Sequence, residues 1–215
     1  PPRSTLFPYT TLFRSSILSV VHFIFVLYLA IIAQFIIQLI ALSVNGINPI
    51  VYMKKSLALL ILAFTSRSSV GCLPVTIETL TQKLGVNQAT ASFVAGFGTT
   101  AGMQGCAGIF PSLLIVYVCH LTGTAMDFSM IVMTIIVVTL GSLGIAGIPG
   151  TATMAASVGL SGVGMASSFS LIGPILAIDP LIDMARTMLN VSGSVTNALI
   201  IDKRLGNLDE NIYNE

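Results

Sequence analysis

Ile17 to Ala41 is an unbroken apolar run in which only His22, Gln34 and Gln38 are strongly polar. At a rise of about 1.5 Å per residue, a helix of this length exceeds the roughly 30 Å hydrocarbon core of a bilayer. Inside lipid every backbone N–H and C=O must be satisfied within the segment, so the run is confined to a helix. The rest of the chain agrees, being 54% hydrophobic and only 8% charged, where soluble domains carry about 25% charged residues. At about 20 residues per crossing, 215 residues hold several passages and leave no room for a separate soluble domain. The expected class is an all-α polytopic membrane protein.

Beyond this first helix the apolar segments are interrupted. Asn45-Gly46 and Asn48-Pro49 mark a turn, and Lys54-Lys55 behind it place that end in the cytoplasm by the positive-inside rule, as Lys203-Arg204 do for the end of the last helix. Ser56 to Phe64 is apolar but short, and it runs into the small, polar stretch Thr65 to Gly71 before Leu73-Pro74 opens a segment ending near Leu84. This predicts a helical hairpin that enters the membrane and returns. Phe93 to Cys119 has spanning length but contains Gly98, Gly102, Gly105 and Gly108 with Gln104, which predicts an unwound middle. Met130 to Leu140, the glycine-rich Gly141 to Gly150 and Thr151 to Met165 predict a second hairpin, and Phe169 to Ile201 a long final helix, irregular near Pro174 and Pro180.

Ionisable side chains at membrane depth are costly and point to function. Between Leu176 and Asn190 two aspartates, an arginine and an asparagine interrupt an apolar run. On a helix Asp179, Asp183, Arg186, Thr187 and Asn190 fall on one polar stripe, with Asp183 and Arg186 as neighbours. The stripe is a candidate ligand and ion site, and a buried structural ion pair is the competing reading. Asp179, just before Pro180, is either structural or cation-linked. Arg67 either reaches water or adds charge to a cavity.

Residues 1–15 are read apart from the fold, because Thr5 to Ser15, TLFPYTTLFRS, coincides codon for codon with the translation of a common sequencing-library adapter. The remainder, from Ser16, is expected to be the C-terminal part of a longer protein. Without Arg3 and Arg14 the nine basic residues become seven against eight acidic ones, which leaves no basic patch for nucleic acid. Cys72, Cys106 and Cys119 are odd in number, lack CxxC spacing and sit in apolar surroundings, so they are expected as buried free thiols.

Three segments carry a family resemblance. Ser66-Arg67-Ser68-Ser69-Val70-Gly71-Cys72-Leu73-Pro74-Val75-Thr76 resembles the signature TRSSSGTLPVT, Ser142 to Gly150 resembles SIGTAGVPG, and Asp179 to Gly193 resembles DAILDMGRTMVNVTG. All three belong to the dicarboxylate/amino acid:cation symporters, which include the glutamate transporters, and the resemblance covers Ile17 to Arg204. It implies a transport domain of two re-entrant helical hairpins and a broken helix, moving as an elevator in the inner membrane of a bacterium. Residues 16–55 would be a transmembrane helix and cytoplasmic turn, 56–204 the core transport domain and 205–215 a cytoplasmic tail. The full-length protein would be a homotrimer in the lipid bilayer. No organic cofactor is implied, only sodium or a proton as coupling ion.

The resemblance also assigns roles. The residue at Asp183 binds a substrate ammonium group, Arg186 pairs with a substrate carboxylate, and Thr187 and Asn190 complete that side. Ser68 and Ser69 with backbone at Ala146 and Gly147 close over the substrate from the hairpin tips. Gly102, Met103, Gln104, Asn190 and Ser194 fall where the family binds cations, but the family's NMDGT reads Gly102-Met103-Gln104-Gly105-Cys106 here, and a late aspartate is Ser194. Two carboxylates that would offset sodium desolvation are therefore missing. MQGCAGIFP together with IDPLIDMARTMLNVSGS resembles the L-cystine uptake branch most closely, and cystine offers an ammonium and a carboxylate at each end. A glutamate, aspartate or C4-dicarboxylate symporter is the alternative. An intramembrane enzyme lacks a base near Ser161 or Ser192, and Asp179 and Asp183 on one helix do not make a protease dyad from opposing elements. A channel would differ from a symporter by failing to accumulate substrate.

Overall fold

The computed structural model describes residues 8–214, with side chains from Ile17 onward. Of residues 1–15, which are read apart from the fold, 1–7 and the side chains of 8–15 lie outside what is described. Among the described residues the chain forms helices and no strands. Three of these helices are long and apolar enough to span a membrane, Ile17–Val44, Pro49–Ser66 and Gln104–Thr122.

Helix α1 (Pro8–Val44) buries Phe23, Leu27, Ile31, Gln38 and Leu42, residues spaced by fours and a seven along one stripe. Its other faces expose Phe25, Leu29, Ile32, Ile36 and Ile40, as a lipid-facing helix would. After the turn at Gly46, the Asn48 side chain accepts the Ile50 N–H at 3.0 Å and Pro49 opens α2 (Pro49–Ser66). This helix is continuous through Lys54-Lys55. The lysines belong to its second turn, and Lys55 Nζ reaches out to the Ile212 carbonyl at 2.5 Å.

Helix α2 ends at Arg67 in the left-handed region, φ 54°, the one non-glycine residue with positive φ among those described. The first tip follows, then α3 (Leu73–Glu78), which a π turn extends through Thr79–Lys83. Helix α4 (Gln88–Gly98) stops at Thr99, and Gly102 turns the chain at φ 71°. A π turn at Gln104–Ile109 restarts the path into α5 (Phe110–Thr122). Asp127 caps α6 (Phe128–Gly141) by accepting the Met130 N–H at 2.8 Å, and the second tip leads into α7 (Thr151–Gly162). Both interrupted hairpins and the break in the middle helix thus lie where the sequence predicts them.

The final element, expected over Phe169 to Ile201 as one long helix irregular near Pro174 and Pro180, is broken between them. A 3-10 turn at Ala166–Ile172 and the short α8 (Gly173–Ala177) meet α9 (Asp179–Leu205) at an angle of 86°. Pro180 removes an N–H and disfavours helical geometry at the residue before it, so the chain restarts there with proline in the first turn. Helix α9 is the axis of the bundle and packs against α1, α2, α4 and the π turn at Gln104. Its first half joins a core of Phe23, Leu27, Phe110, Leu114 and Leu160 through Ile182, Ala185 and Leu189. Its second half joins Leu42, Tyr52, Leu59 and Leu80 through Val191, Val195 and Leu199.

One end of the bundle is closed by the terminal α10 (Glu210–Asn214). The Asp209 N–H donates to the Gly85 carbonyl at 2.9 Å, and the buried Tyr213 donates to the Asn48 carbonyl at 2.8 Å. Lys203 pairs with Glu210, and Arg204 Nε donates to Asn45 Oδ1 at 2.8 Å. Lys55 and Lys203-Arg204 therefore share one end of the molecule, as their common assignment to one membrane face requires.

Candidate functional site

The polar stripe of α9 is folded inward. Asp183, Arg186, Thr187 and Asn190 are buried, and Arg186 is 0% exposed. Its Nη2 donates to Asp179 at 2.5 Å and to Asp183 at 3.1 Å, and its guanidinium carbon lies 3.9 Å from the centre of the Phe110 ring. Asp179 is thus the closer carboxylate, which makes it a partner of the arginine. The guanidinium is not saturated. Nε and Nη1 are buried with no hydrogen-bond acceptor among the described residues, an arrangement that is costly unless something accepts them.

The broken middle helix completes this side. Asn190 Oδ1 accepts the Gly105 N–H at 2.7 Å, and its Nδ2 donates to Cys106 Sγ at 3.1 Å. The Cys106 thiol donates to Asp183 Oδ1 at 3.4 Å, and Thr187 makes a long contact of 3.5 Å to the same oxygen. Position 105 must be glycine for this packing, since a Cβ there would lie 2.7 Å from the Arg186 carbonyl oxygen and 2.9 Å from its Cα.

The hairpin tips meet each other at Gly147. Its carbonyl accepts the Val70 N–H at 3.1 Å and the Ser68 hydroxyl at 3.3 Å, while its own N–H donates to the Thr99 carbonyl at 2.8 Å. A Cβ on Gly147 would lie 2.8 Å from the Ser69 Cβ and 3.1 Å from the Met103 sulfur. Ser69 is 3% exposed, and its hydroxyl has no partner among the described residues. Ala146 accepts the Ile148 N–H at 3.0 Å in a local turn. From the first tip, Arg67 makes a long contact of 3.4 Å to the Pro180 carbonyl at the start of α9.

The residues expected to be cation-linked divide. Gly102, Gln104, Asn190 and Ser194 line one cavity of about 270 Å³, together with Gly98 and Gly193. The buried Met103 instead packs with Ala107, Ile145 and Ala155. The Gln104 side chain turns to α1, where its oxygen accepts from Gln34 at 3.1 Å and Gln38 at 2.6 Å. No carboxylate of the described residues lines this cavity. Among the described residues no cluster of three His, Cys, Asp or Glu side chains could hold a metal ion.

Several participants were not singled out from sequence. Gln34 and Gln38 were visible as polar residues in an apolar helix, and their spacing of four matches the buried stripe. Phe110 and Cys106 carried no such signal, since aromatic and thiol groups in apolar surroundings normally pack. Cys72, Cys106 and Cys119 are indeed buried free thiols. His22 and His120 are exposed and line a groove between α1 and α5 with Phe23, Val26 and Tyr117, away from the arginine.

Relatives of known name share this sequence. The L-cystine uptake protein TcyP of Bacillus cereus is 42% identical over 202 residues, 94% of this chain and 43% of the relative. The protein of the same name from Bacillus anthracis has the same identity and coverage, and that from Bacillus licheniformis is 41% identical over 201 residues, 93% of this chain and 43% of the relative. The chain thus spans less than half the length of the curated relatives it matches. The sequence profile of the sodium:dicarboxylate symporter family matches residues 9–204, which carry both hairpin tips, the broken helix and the whole α9 stripe. With a match of that extent over a helical, polytopic membrane fold, the chain belongs to the sodium:dicarboxylate symporter family.

Proposed function

We propose that this chain is the substrate-handling part of a secondary active symporter that imports an amino acid, L-cystine. The observation that carries the reading is Arg186: one nitrogen is held by two aspartates, and two others are buried without an acceptor. A planar guanidinium anchored at one corner offers its remaining edge to a carboxylate through parallel hydrogen bonds. Asp183, in the same cluster, is a carboxylate for an ammonium group. A zwitterion with a distal carboxylate meets both, and the cystine uptake proteins among the relatives favour cystine over glutamate, aspartate or a C4-dicarboxylate.

The two tips close on each other at Gly147 by two hydrogen bonds, few enough for the second hairpin to part from the first and admit a ligand. Bound substrate would then cross with the hairpins and α9 as a body, in elevator fashion, coupled to sodium or a proton. The whole transporter would be a homotrimer in a bacterial inner membrane, with the lysine- and arginine-bearing end at the cytoplasm. This reading is tested by uptake of labelled cystine into liposomes holding the whole transporter, with sodium and pH varied independently and glutamate, aspartate and succinate as competitors. Saturable accumulation of cystine against its gradient is expected. Accumulation of glutamate or succinate without cystine would replace the substrate, and flux that never exceeds equilibrium would replace symport by a channel.

A further inference from the structure

A second buried polar assembly shares no side chain with the Arg186 cluster. The hydroxyls of Tyr52 on α2 and Ser192 on α9 lie 2.7 Å apart, and Ser192 donates to Gln38 Oε1 at 2.5 Å. Gln38 Nε2 donates to the Leu189 carbonyl at 3.3 Å and to Gln104 Oε1 at 2.6 Å. Gln34 Nε2 donates to that same oxygen at 3.1 Å. The relay therefore links α2, α9, α1 and the π turn that follows the break.

Its direction is set by the one atom that cannot exchange roles. A backbone carbonyl only accepts, so the Gln38 atom facing Leu189 is the amide nitrogen. The Gln38 oxygen then faces Ser192, which must donate and so receives the proton of Tyr52. The second N–H of Gln38 points at Gln104, whose facing atom must be oxygen. Gln104 consequently has its NH2 on the side away from Gln38, with the whole amide packed on Gly193, where a Cβ would lie 3.0 Å from Nε2 and 3.2 Å from Oε1. That nitrogen has no acceptor among the described residues, and Gln104 and Gly193 both line the 270 Å³ cavity beside Asn190 and Ser194.

We propose that Gln38, assisted by Gln34, is a positioning residue that holds the Gln104 amide nitrogen toward this cavity, so that Gln104 offers it a hydrogen-bond donor and no oxygen ligand for sodium. Alkali cations need oxygen ligands. Here the Gln104 oxygen is already occupied by two N–H groups, and Asn190 Oδ1 is occupied by the Gly105 N–H. Ser194 donates to the Asn190 carbonyl at 3.3 Å but keeps the lone pairs of its own oxygen, and Asn197 lines the same cavity, so the restriction applies to the Gln104 position alone. The inference deepens the symporter reading and rests on it only for the consequence that any coupling sodium is held without a ligand from Gln104.

The test is the thermal unfolding of the purified whole transporter in sodium chloride against choline chloride at equal ionic strength. The wild type and Gln104→Met should show the same sodium-minus-choline shift, whether or not it is zero. Gln104→Glu should gain a sodium-specific rise of about 2 °C or more, because one carboxylate oxygen takes the two glutamine N–H groups and the other replaces NH2 at the cavity. In Gln38→Leu the Gln104 amide is free to turn over, so a smaller sodium-specific rise should appear, and adding Gln104→Met should remove it. A sodium shift in the wild type that Gln104→Met abolishes would overturn the proposal. So would a Gln38→Leu variant that loses stability equally in both salts, since Gln38 would then be structural only. If Gln104→Met fails to fold, Gln104→Asn, which withdraws the amide from the cavity, serves the same comparison. Loss of amino-acid uptake with these salt results intact would refute the symporter reading and leave this inference standing.

Discussion

Replacing Arg186 by lysine and by methionine separates its two duties. As a structural cation, Arg186 neutralises Asp179 at 2.5 Å and Asp183 at 3.1 Å with no exposure to solvent. Removing one partner of a buried ion pair costs about 3–5 kcal/mol, because the charge left behind has no compensation. Arg186→Met should therefore destabilise by about that amount, and Asp179→Asn in the same chain should recover roughly half, since Asp183 keeps donors at Cys106 and Thr187. Lysine retains the charge and three donors, enough to hold two carboxylates, so Arg186→Lys should cost only about 1 kcal/mol.

On the proposed symporter reading recognition behaves differently, because it would use the edge that lysine lacks. Nε and Nη1 are the donors without acceptors, and hydrogen bonds from a charged group to a carboxylate contribute about 1.5–3 kcal/mol. Arg186→Lys should weaken cystine by about 10- to 150-fold while changing serine or alanine little. Melting in detergent and competition uptake read the two effects independently. A lysine variant that keeps wild-type cystine affinity would show that the free edge faces no ligand. A methionine variant as stable as wild type would show that the aspartates are not held as charges.

Three further outcomes follow from the geometry. Asp183→Asn keeps the shape and removes the charge, so amino-acid binding should fall by at least about tenfold; unchanged affinity in equilibrium binding would remove Asp183 from the site. Gly105→Ala drives a methyl group to 2.7 Å from a backbone oxygen of Arg186, an overpacking that should cost about 3 kcal/mol and lower the melting midpoint by about 6–12 °C; a fall below about 2 °C would mean that the π turn can slide away from α9. Tyr213→Phe removes the bond to Asn48 and should cost about 1 kcal/mol. Burial pushes the Tyr213 hydroxyl up to about 12, so its contribution is complete below the ordinary tyrosine value of about 10 and fades as pH rises from there; Tyr213→Phe should be less sensitive to pH over that interval than the wild type.

What could be read from sequence was local. The span at Ile17, the tips at Ser66–Gly71 and Gly141–Gly150 and the stripe on α9 each depend on residues within a few turns of one another. The misreadings came from contacts at a distance or from signals with two meanings. Gly173-Pro174 and Pro180 marked the final helix as irregular, but they carried no measure of the 86° bend, since Pro180 is as compatible with a kink as with a new helix. Lys54-Lys55 stand within the second turn of a continuous helix, and the Lys55 stem carries its ammonium group out to Ile212, at the same end of the molecule as Lys203-Arg204. The glutamine relay joins positions 66 and 154 residues apart, and the sequence shows such groups only as unexplained polarity. Asp179 was ambiguous for the same reason. Seven residues separate it from Arg186, about two turns, and only the side-chain geometry brings the pair together.

The convergence of the three breaks has a physical cause in the medium. A continuous helix satisfies its own backbone and offers lipid or neighbours only side chains, so α9 can bring charge to the site but no main-chain donors. An interrupted helix exposes N–H and C=O groups that hydrocarbon cannot satisfy, and each must find a partner within the protein. Here they find one another: the Val70 N–H and Ser68 hydroxyl of the first tip meet the Gly147 carbonyl of the second, the Gly147 N–H meets Thr99 at the end of α4, and the Gly105 N–H past the break meets Asn190 on α9. One unpaired break would be unstable at membrane depth, whereas three that pair with each other and with a polar helix face stabilise a small polar region in an apolar slab. That region can open only where its closing bonds are few and shared. The contact between the two tips meets that condition, since both of its bonds end on the single Gly147 carbonyl, while Arg186 and its two aspartates are held within α9 itself.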